Sequence, residues 1–375
     1  MKRVKLFLWA VLFMLLGYSF VACGQGFVYK SISSKVLQKY YSNVSLDKYV
    51  NATKYLPRGY NTRGLADYTD NIQRAIDRNK KVIMPNFPVL INENGLKLRN
   101  DTELFFQKNS KIIVKPNKQA KYSILLIQDV SNVKIFNPTI VGDRTKHLGT
   151  RGEWGMGISI YGGRNIEVYN PKVQDCWGDG LYISHSDNNE AKNVKIIDGY
   201  FDNNRRNAIS IISVDQLLIN GTLVSNTNGT APMSGICIEP NSNVYNLANI
   251  TIKDVSSFNN VEYGLAIVTA KFIGEKKKYV SIDVDRFQDS YSKNILLLGG
   301  TNKNYPPNFK KLEGYIRFKD VKGINNKKDI IAGHNFSNSP QYSVENLQII
   351  TNGRRDNRKE GALKQSFKNK AIITN

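Results

Sequence analysis

Gly157-Ile158-Ser159-Ile160, Gly180-Leu181-Tyr182-Ile183, Ala208-Ile209-Ser210-Ile211, Gly235-Ile236-Cys237-Ile238 and Gly264-Leu265-Ala266-Ile267 are five versions of one pattern. Each is a small residue followed by two aliphatics at alternate positions. The pattern starts at residues 157, 180, 208, 235 and 264, so it returns every 23 to 29 residues. Side chains alternate along a strand, so the two aliphatics share one face. One turn cannot bury that face alone, and repeats of this length stack as successive turns of a coil.

A second pattern runs in phase with the first: Asn132-Val133-Lys134-Ile135, Asn165-Ile166-Glu167-Val168, Asn193-Val194-Lys195-Ile196, Gln216-Leu217-Leu218-Ile219 and Asn249-Ile250-Thr251-Ile252. A third short element follows, as in Asn170-Pro171-Lys172-Val173 and Asp198-Gly199-Tyr200-Phe201. Three short strands per turn, bounded by Gly, Asn or Asp, describe an all-β, single-stranded parallel β-helix. The repeated Asn either forms a side-chain amide ladder or supplies left-handed backbone. Upstream, Thr69 to Asp77 reads as a short helix. Thr69 or Asp70 would cap it, and Ile72, Ala75 and Ile76 would face inward. Such a helix suits an N-terminal cap on the coil, because an uncovered sheet edge invites aggregation.

Asp67 through Asp77, with Val82-Ile83-Met84-Pro85 and Gly95-Leu96-Lys97-Leu98, resembles the N-terminal signature of the pectate-lyase superfamily. The resemblance covers about residues 60 to 270. It implies a right-handed coil similar to polygalacturonases, rhamnogalacturonases and phage tailspikes.

The 375 residues carry 53 Lys and Arg against 31 Asp and Glu, a net charge of +22. Such an excess steers anionic partners. Lys2, Arg3 and Lys5 precede an apolar run from Leu6 to Leu16, the layout of a secretory signal and too short for a comfortable membrane span. Phe20-Val21-Ala22-Cys23 resembles a lipoprotein processing site, with Cys23 lipidated. The expected layout is a signal peptide over 1–22, a lead segment over 23–60, the β-helix over 61–352 and a frayed basic tail over 353–375. The protein is then exported and tethered to a bacterial membrane by its lipid. The few acids after Cys23 favour the periplasmic side. Export argues against nucleic acid as partner, and no recognised nucleic-acid module is present. A monomer is expected. Cys176 and Cys237 sit at different strand positions two turns apart and should not pair. No His/Cys cluster has zinc spacing.

With the aliphatics facing inward, the residue before each small residue faces out, as do those two and four after it. Stacked about 4.8 Å apart, these positions form columns. They are Met156, Asp179, Asn207, Ser234, then Ser159, Tyr182, Ser210, Cys237, then Tyr161, Ser184, Ile212, Glu239. Flanking loops add Asp143, Arg144, His147, Glu153, Trp154, Trp177, His185, Arg205 and Arg206. Aromatic platforms and guanidinium groups suit sugars bearing carboxylates. Trp154 and Trp177 could equally pack the turns.

Similarity to polygalacturonases implies three aspartates on this face. This chain keeps only Asp179, with Gly178 in place of its neighbour. Met156 falls at the Asn-Thr-Asp position, Asn207 falls at the Gly-His-Gly position, and no Arg-Ile-Lys surrounds Glu239. Glu239 lies about 19 Å from Asp179, beyond glycosidase spacing, whereas Glu153 lies at most about 11 Å away. A lyase or epimerase needs a cation, a base and an acid. Arg144, Arg205 or Arg206 could neutralise a uronate, and Tyr182 or His185 could move protons. The residues establish no cofactor, and the one they leave open is a bridging calcium ion held by Asp179.

The expected catalytic group is therefore Asp179, Tyr182, His185, Arg206 and Glu153. Arg144, His147, Trp154, Trp177, Arg205, Asn207 and Glu239 would bind substrate. The leading reading is an enzyme, a lyase, epimerase or glycoside hydrolase, acting on an acidic polysaccharide. The alternative is a protein that binds or helps assemble envelope glycan without catalysis.

Overall fold

Each of the five motifs lies on a strand that pairs in parallel with its successor. In a computed structural model, which describes residues 27–33, 44–300, 305–333, 335–367 and 372–374, Ile158 registers with Leu181, Leu181 with Ile209, Ile209 with Ile236 and Ile236 with Leu265. Ile160, Ile183, Ile211, Ile238 and Ile267 form the matching inner row, and both rows are fully buried. Each aliphatic so buried contributes about 1.5–3 kcal/mol. The motif sheet has nine strands, from Leu96–Lys97 to Ile330–Ala332, and the second and third strands of the turns merge into a 19-stranded sheet. The result is a right-handed parallel β-helix of about nine turns.

The asparagines do both things open to them. Asp101, Asn132, Asn165 and Asn193 have φ between 51° and 61°. They also form a ladder. Asn193 Nδ2 donates to Asn165 Oδ1 (2.9 Å), Asn165 Nδ2 to Asn132 Oδ1 (3.0 Å) and Asn132 Nδ2 to Asp101 Oδ1 (2.9 Å). Asn137 and Asn170 repeat this at the next turn, and Asn226 and Asn259 at the third.

The helix spans Thr69–Arg78 with Ile72, Ala75 and Ile76 buried. Neither Thr69 nor Asp70 caps it. Asp67 does so from outside, its Oδ1 accepting from Thr69 N (3.0 Å) and Oγ1 (2.6 Å). Gln73 exchanges two hydrogen bonds with the backbone of Lys97, at the edge of the first motif strand. Within the lead segment, Val50–Asn51 pairs with Val82–Ile83. Val28 to Lys30 lies along the flank, bonded to the ladder side chains of Asn226 and Asn259. The signal peptide and Cys23 fall outside the described residues.

Stacking continues past residue 270, where the pattern loosens. Tyr279–Ser290, Glu313–Ile324 and Gln341–Thr351 pair in order. Asn294–Gly299 and Ile330–Ala332 extend the motif sheet. The stretch from Gly353 is no frayed tail. Asn357–Phe367 is a helix, Phe367 is buried in the core, and Ile372–Thr374 pairs with Tyr342–Val344. Its Lys and Arg content hides apolar side chains that cover the last coil, Phe367 in the core and Leu363 packed against it. Cys176 and Cys237 are buried and unpaired.

Candidate functional site

The column before the motif strands is a floor rather than a surface. Met156, Asp179, Asn207 and Ser234 are at most 1% exposed, and Ser159, Ser210 and Cys237 are nearly as closed. Longer side chains and the turns before each strand lie over them. Asp179, expected at the surface, has no exposed area at all. Its Oδ2 accepts from Arg206 Nη1 at 3.0 Å and its Oδ1 from Asn207 N at 2.9 Å. Asn207 continues the network, with Nδ2 donating to Ser210 Oγ (3.0 Å) and Oδ1 accepting from Ser234 N (3.0 Å). Burial pushes the Asp179 carboxyl up, and the Arg206 guanidinium opposes that push. Burial alone would lower the Arg206 guanidinium, but Asp179 and Glu153 raise it.

Arg206 is the hinge of the site, with 14% of its side chain exposed. Glu153 Oε2 lies 3.9 Å from its Nε, so two carboxylates share one guanidinium. The loop does bring Glu153 in, as a hydrolase would need, but toward Arg206. Both Asp179 oxygens already accept hydrogen bonds, so a calcium ion there would compete with the Arg206 guanidinium. Among the described residues no group of three or more His, Cys, Asp and Glu gathers to hold a metal.

Above the floor, the half-buried Tyr161 and Tyr182 face each other with ring centroids 5.5 Å apart. Burial raises both hydroxyls, Tyr161 to about 12 and Tyr182 further, so both stay protonated. His185 packs on Tyr245 at 5.0 Å. Glu239 is half-buried at the same edge, beside Cys237 Sγ. Trp154 is 44% exposed and is the open aromatic face.

The remaining predicted binders are committed elsewhere. The His147 side chain is fully buried, with Nδ1 2.8 Å from Asp143 Oδ2. Tyr122 and Asn117 also donate to Asp143. His147 stacks on Trp177 at 4.0 Å, and Arg205 covers the other face at 3.8 Å while donating to Gly152 O (2.9 Å). Trp177 is thus an internal layer, not a sugar platform. Arg144 turns inward to Asn203 O (2.6 Å), Asn203 Oδ1 (2.9 Å) and Asn228 Oδ1, and burial lowers its guanidinium to about 10. These groups brace the loop that carries Glu153 and Trp154. Tyr161 and Tyr245 belong to the site although neither was singled out. Tyr161 had a signal, its outward register in the third column. Tyr245 lies in a loop without one.

No family model matches the chain. Two curated proteins of Bacillus subtilis are similar. The uncharacterized protein YclG is 30% identical over 160 residues, covering 39% of this chain and 27% of its own. The SPbeta prophage-derived uncharacterized protein YorA is 28% identical over 226 residues, 55% of this chain and 36% of its own. The chain therefore spans about a third or less of the curated relatives it matches. Among solved structures, the Streptococcus pneumoniae surface protein and adhesin PfbA superposes with a TM-score of 0.56 at 13% identity, over 81% of this chain and 86% of that one. Endo-xylogalacturonan hydrolase from Aspergillus tubingensis gives 0.57 at 12% identity, over 79% and 84%. The family 28 exopolygalacturonase of Yersinia enterocolitica gives 0.54 at 12%, over 80% and 71%. At such identities the likeness is one of fold.

Proposed function

We propose that the protein is an exported, lipid-anchored and monomeric β-helix protein that takes an acidic polysaccharide along its motif sheet and modifies it by proton transfer. The observation that carries this reading is the Arg206 guanidinium, 14% exposed, whose charge reaches the hydroxyl of Tyr182, the ring packed beside Tyr161. A uronate carboxylate bound there would meet a cation, and its ring would meet aromatic side chains. Elimination or epimerisation fits better than hydrolysis. Hydrolysis needs two free carboxyls, and Asp179 is closed off against Arg206. Tyr182, held protonated, is the acid, and His185 is the base. Similarity in fold to an exopolygalacturonase and an endo-xylogalacturonan hydrolase supports a carbohydrate ligand.

Binding without turnover is the second reading. It is favoured by the compensation of Arg206, whose charge already faces Asp179 and Glu153. Oligouronides from several polymers would be titrated calorimetrically and monitored for unsaturated-uronate absorbance and C5 inversion. Tyr182→Phe should abolish turnover and leave binding within about twofold, and Trp154→Ala should weaken binding about tenfold. Binding without product assigns the second reading. Failure to bind any acidic glycan removes both.

A further inference from the structure

Two loops leave the same edge of the motif sheet beyond the tyrosines, and they lock onto each other. Residues 239–246 follow strand Ser234–Ile238, and residues 269–278 follow strand Tyr263–Val268. Asn243 Nδ2 donates to Phe272 O (2.7 Å) and Lys276 O (3.0 Å), and its Oδ1 accepts from Lys276 N (2.8 Å). Lys278 Nζ reaches back to Asn246 Oδ1 at 3.1 Å and Val244 O at 3.4 Å. Lys310 N donates to Gly274 O at 2.7 Å, joining a third segment. These loops make a shelf rather than loose tips, and its rim is basic. Lys271, Lys276, Lys277 and Lys310 are exposed. Among the described residues, only Lys277 of these four pairs with a carboxylate, that of Glu313. Glu275, the one acid in residues 269–278, is held by Asn308 Nδ2 at 2.6 Å.

The shelf is continuous with the groove. Tyr245 belongs to its first loop and packs on His185. Three strand intervals separate Leu181–Ser184 from Tyr263–Val268, about 14 Å along the coil axis. Resting on the reading of the groove as a uronate site, we propose that Lys271, Lys276 and Lys310 form a second anionic subsite. It holds downstream carboxylates or sulfates of the same glycan chain, so that the protein grips a run of sugars parallel to its axis. Exposed lysines contribute little singly but select for ligands that span several of them.

The test compares short oligouronides, unable to cover that span, with long ones. All three lysines are exposed, so Lys271→Ala/Lys276→Ala/Lys310→Ala should fold, with circular dichroism as the check. Its affinity for long oligouronides should fall about tenfold, with short ones unchanged. Asn243→Ala, which unlocks the shelf without removing charge, should act in the same direction. Equal losses for short and long ligands, or no loss for long ones, would overturn the subsite. Inorganic polyphosphate bound as tightly as the long oligouronide would overturn its assignment to glycan. If the unmodified protein binds no uronate of any length, the groove reading fails first and the subsite with it.

Discussion

Asp289 is sealed in the coil with no exposed surface. Its Oδ1 accepts from Ser292 Oγ at 2.7 Å, and Asn326 Nδ2 donates to Oδ2. Burial raises this carboxyl to about 7, although its hydrogen bonds pull the other way. The folded protein therefore keeps a proton that the unfolded chain releases near pH 4. Its contribution to stability is full below about pH 4, declines as pH rises to about 7 and is constant above. Urea unfolding across that range should lose stability relative to Asp289→Asn, by a few kcal/mol at most. A pH-independent difference would mean that the carboxyl titrates normally. Asp179 explains why the site was only partly legible. Its outward register could be counted from the motif. The turn that folds Arg206 over it could not, because a guanidinium's direction depends on which carboxylates lie within reach in three dimensions. For the same reason Arg144 and His147, near the groove in sequence, are spent bracing their own loop.

At the scale of elements, the amide ladder and the left-handed turn can be separated at Asn165. It has φ 55° and bonds to Asn132 below and Asn193 above. Asn165→Gly keeps the backbone freedom and loses the amide bonds, at about 1 kcal/mol. Asn165→Ala also takes the left-handed strain and should cost about 1–3 kcal/mol. Equal costs in denaturant melts would mean that the ladder dominates and the turn conformation matters little. The strands themselves were readable wherever a small residue preceded alternating aliphatics. They were missed where alternation failed. Ile295 to Leu298 is a continuous apolar run, and Ile330-Ile331-Ala332 is too short to show a period. The helix was visible from its buried stripe, but its cap was misplaced. Asp67 stands two residues outside it, and a carboxylate can reach back to Thr69 as easily as a residue at the boundary.

At the scale of the whole molecule, a stacked coil has two ends, and each exposes backbone groups able to pair with another chain. At the C-terminal end, Asn357–Phe367 lies against the last long strand, Gln341–Thr351, and Ile372–Thr374 adds a final parallel partner to it. Phe367 is 2% exposed and belongs to the core. Glu360 fixes the helix, its Oε1 accepting from Ile349 N at 2.9 Å while Arg355 pairs with the carboxylate. Ending the chain after residue 352 would strip this cover and leave the Gln341–Thr351 edge open. Because neighbouring turns stabilise each other locally, the coils near Asp179 should survive the loss. The truncated protein should therefore keep its β-type circular dichroism and its groove affinity while aggregating with concentration, as followed by light scattering. Phe367→Ala should lean the same way by losing about 3–5 kcal/mol of packing at that end. A truncated chain that stayed monomeric at high concentration would mean that the last coil protects its own edge and that the helix has another purpose.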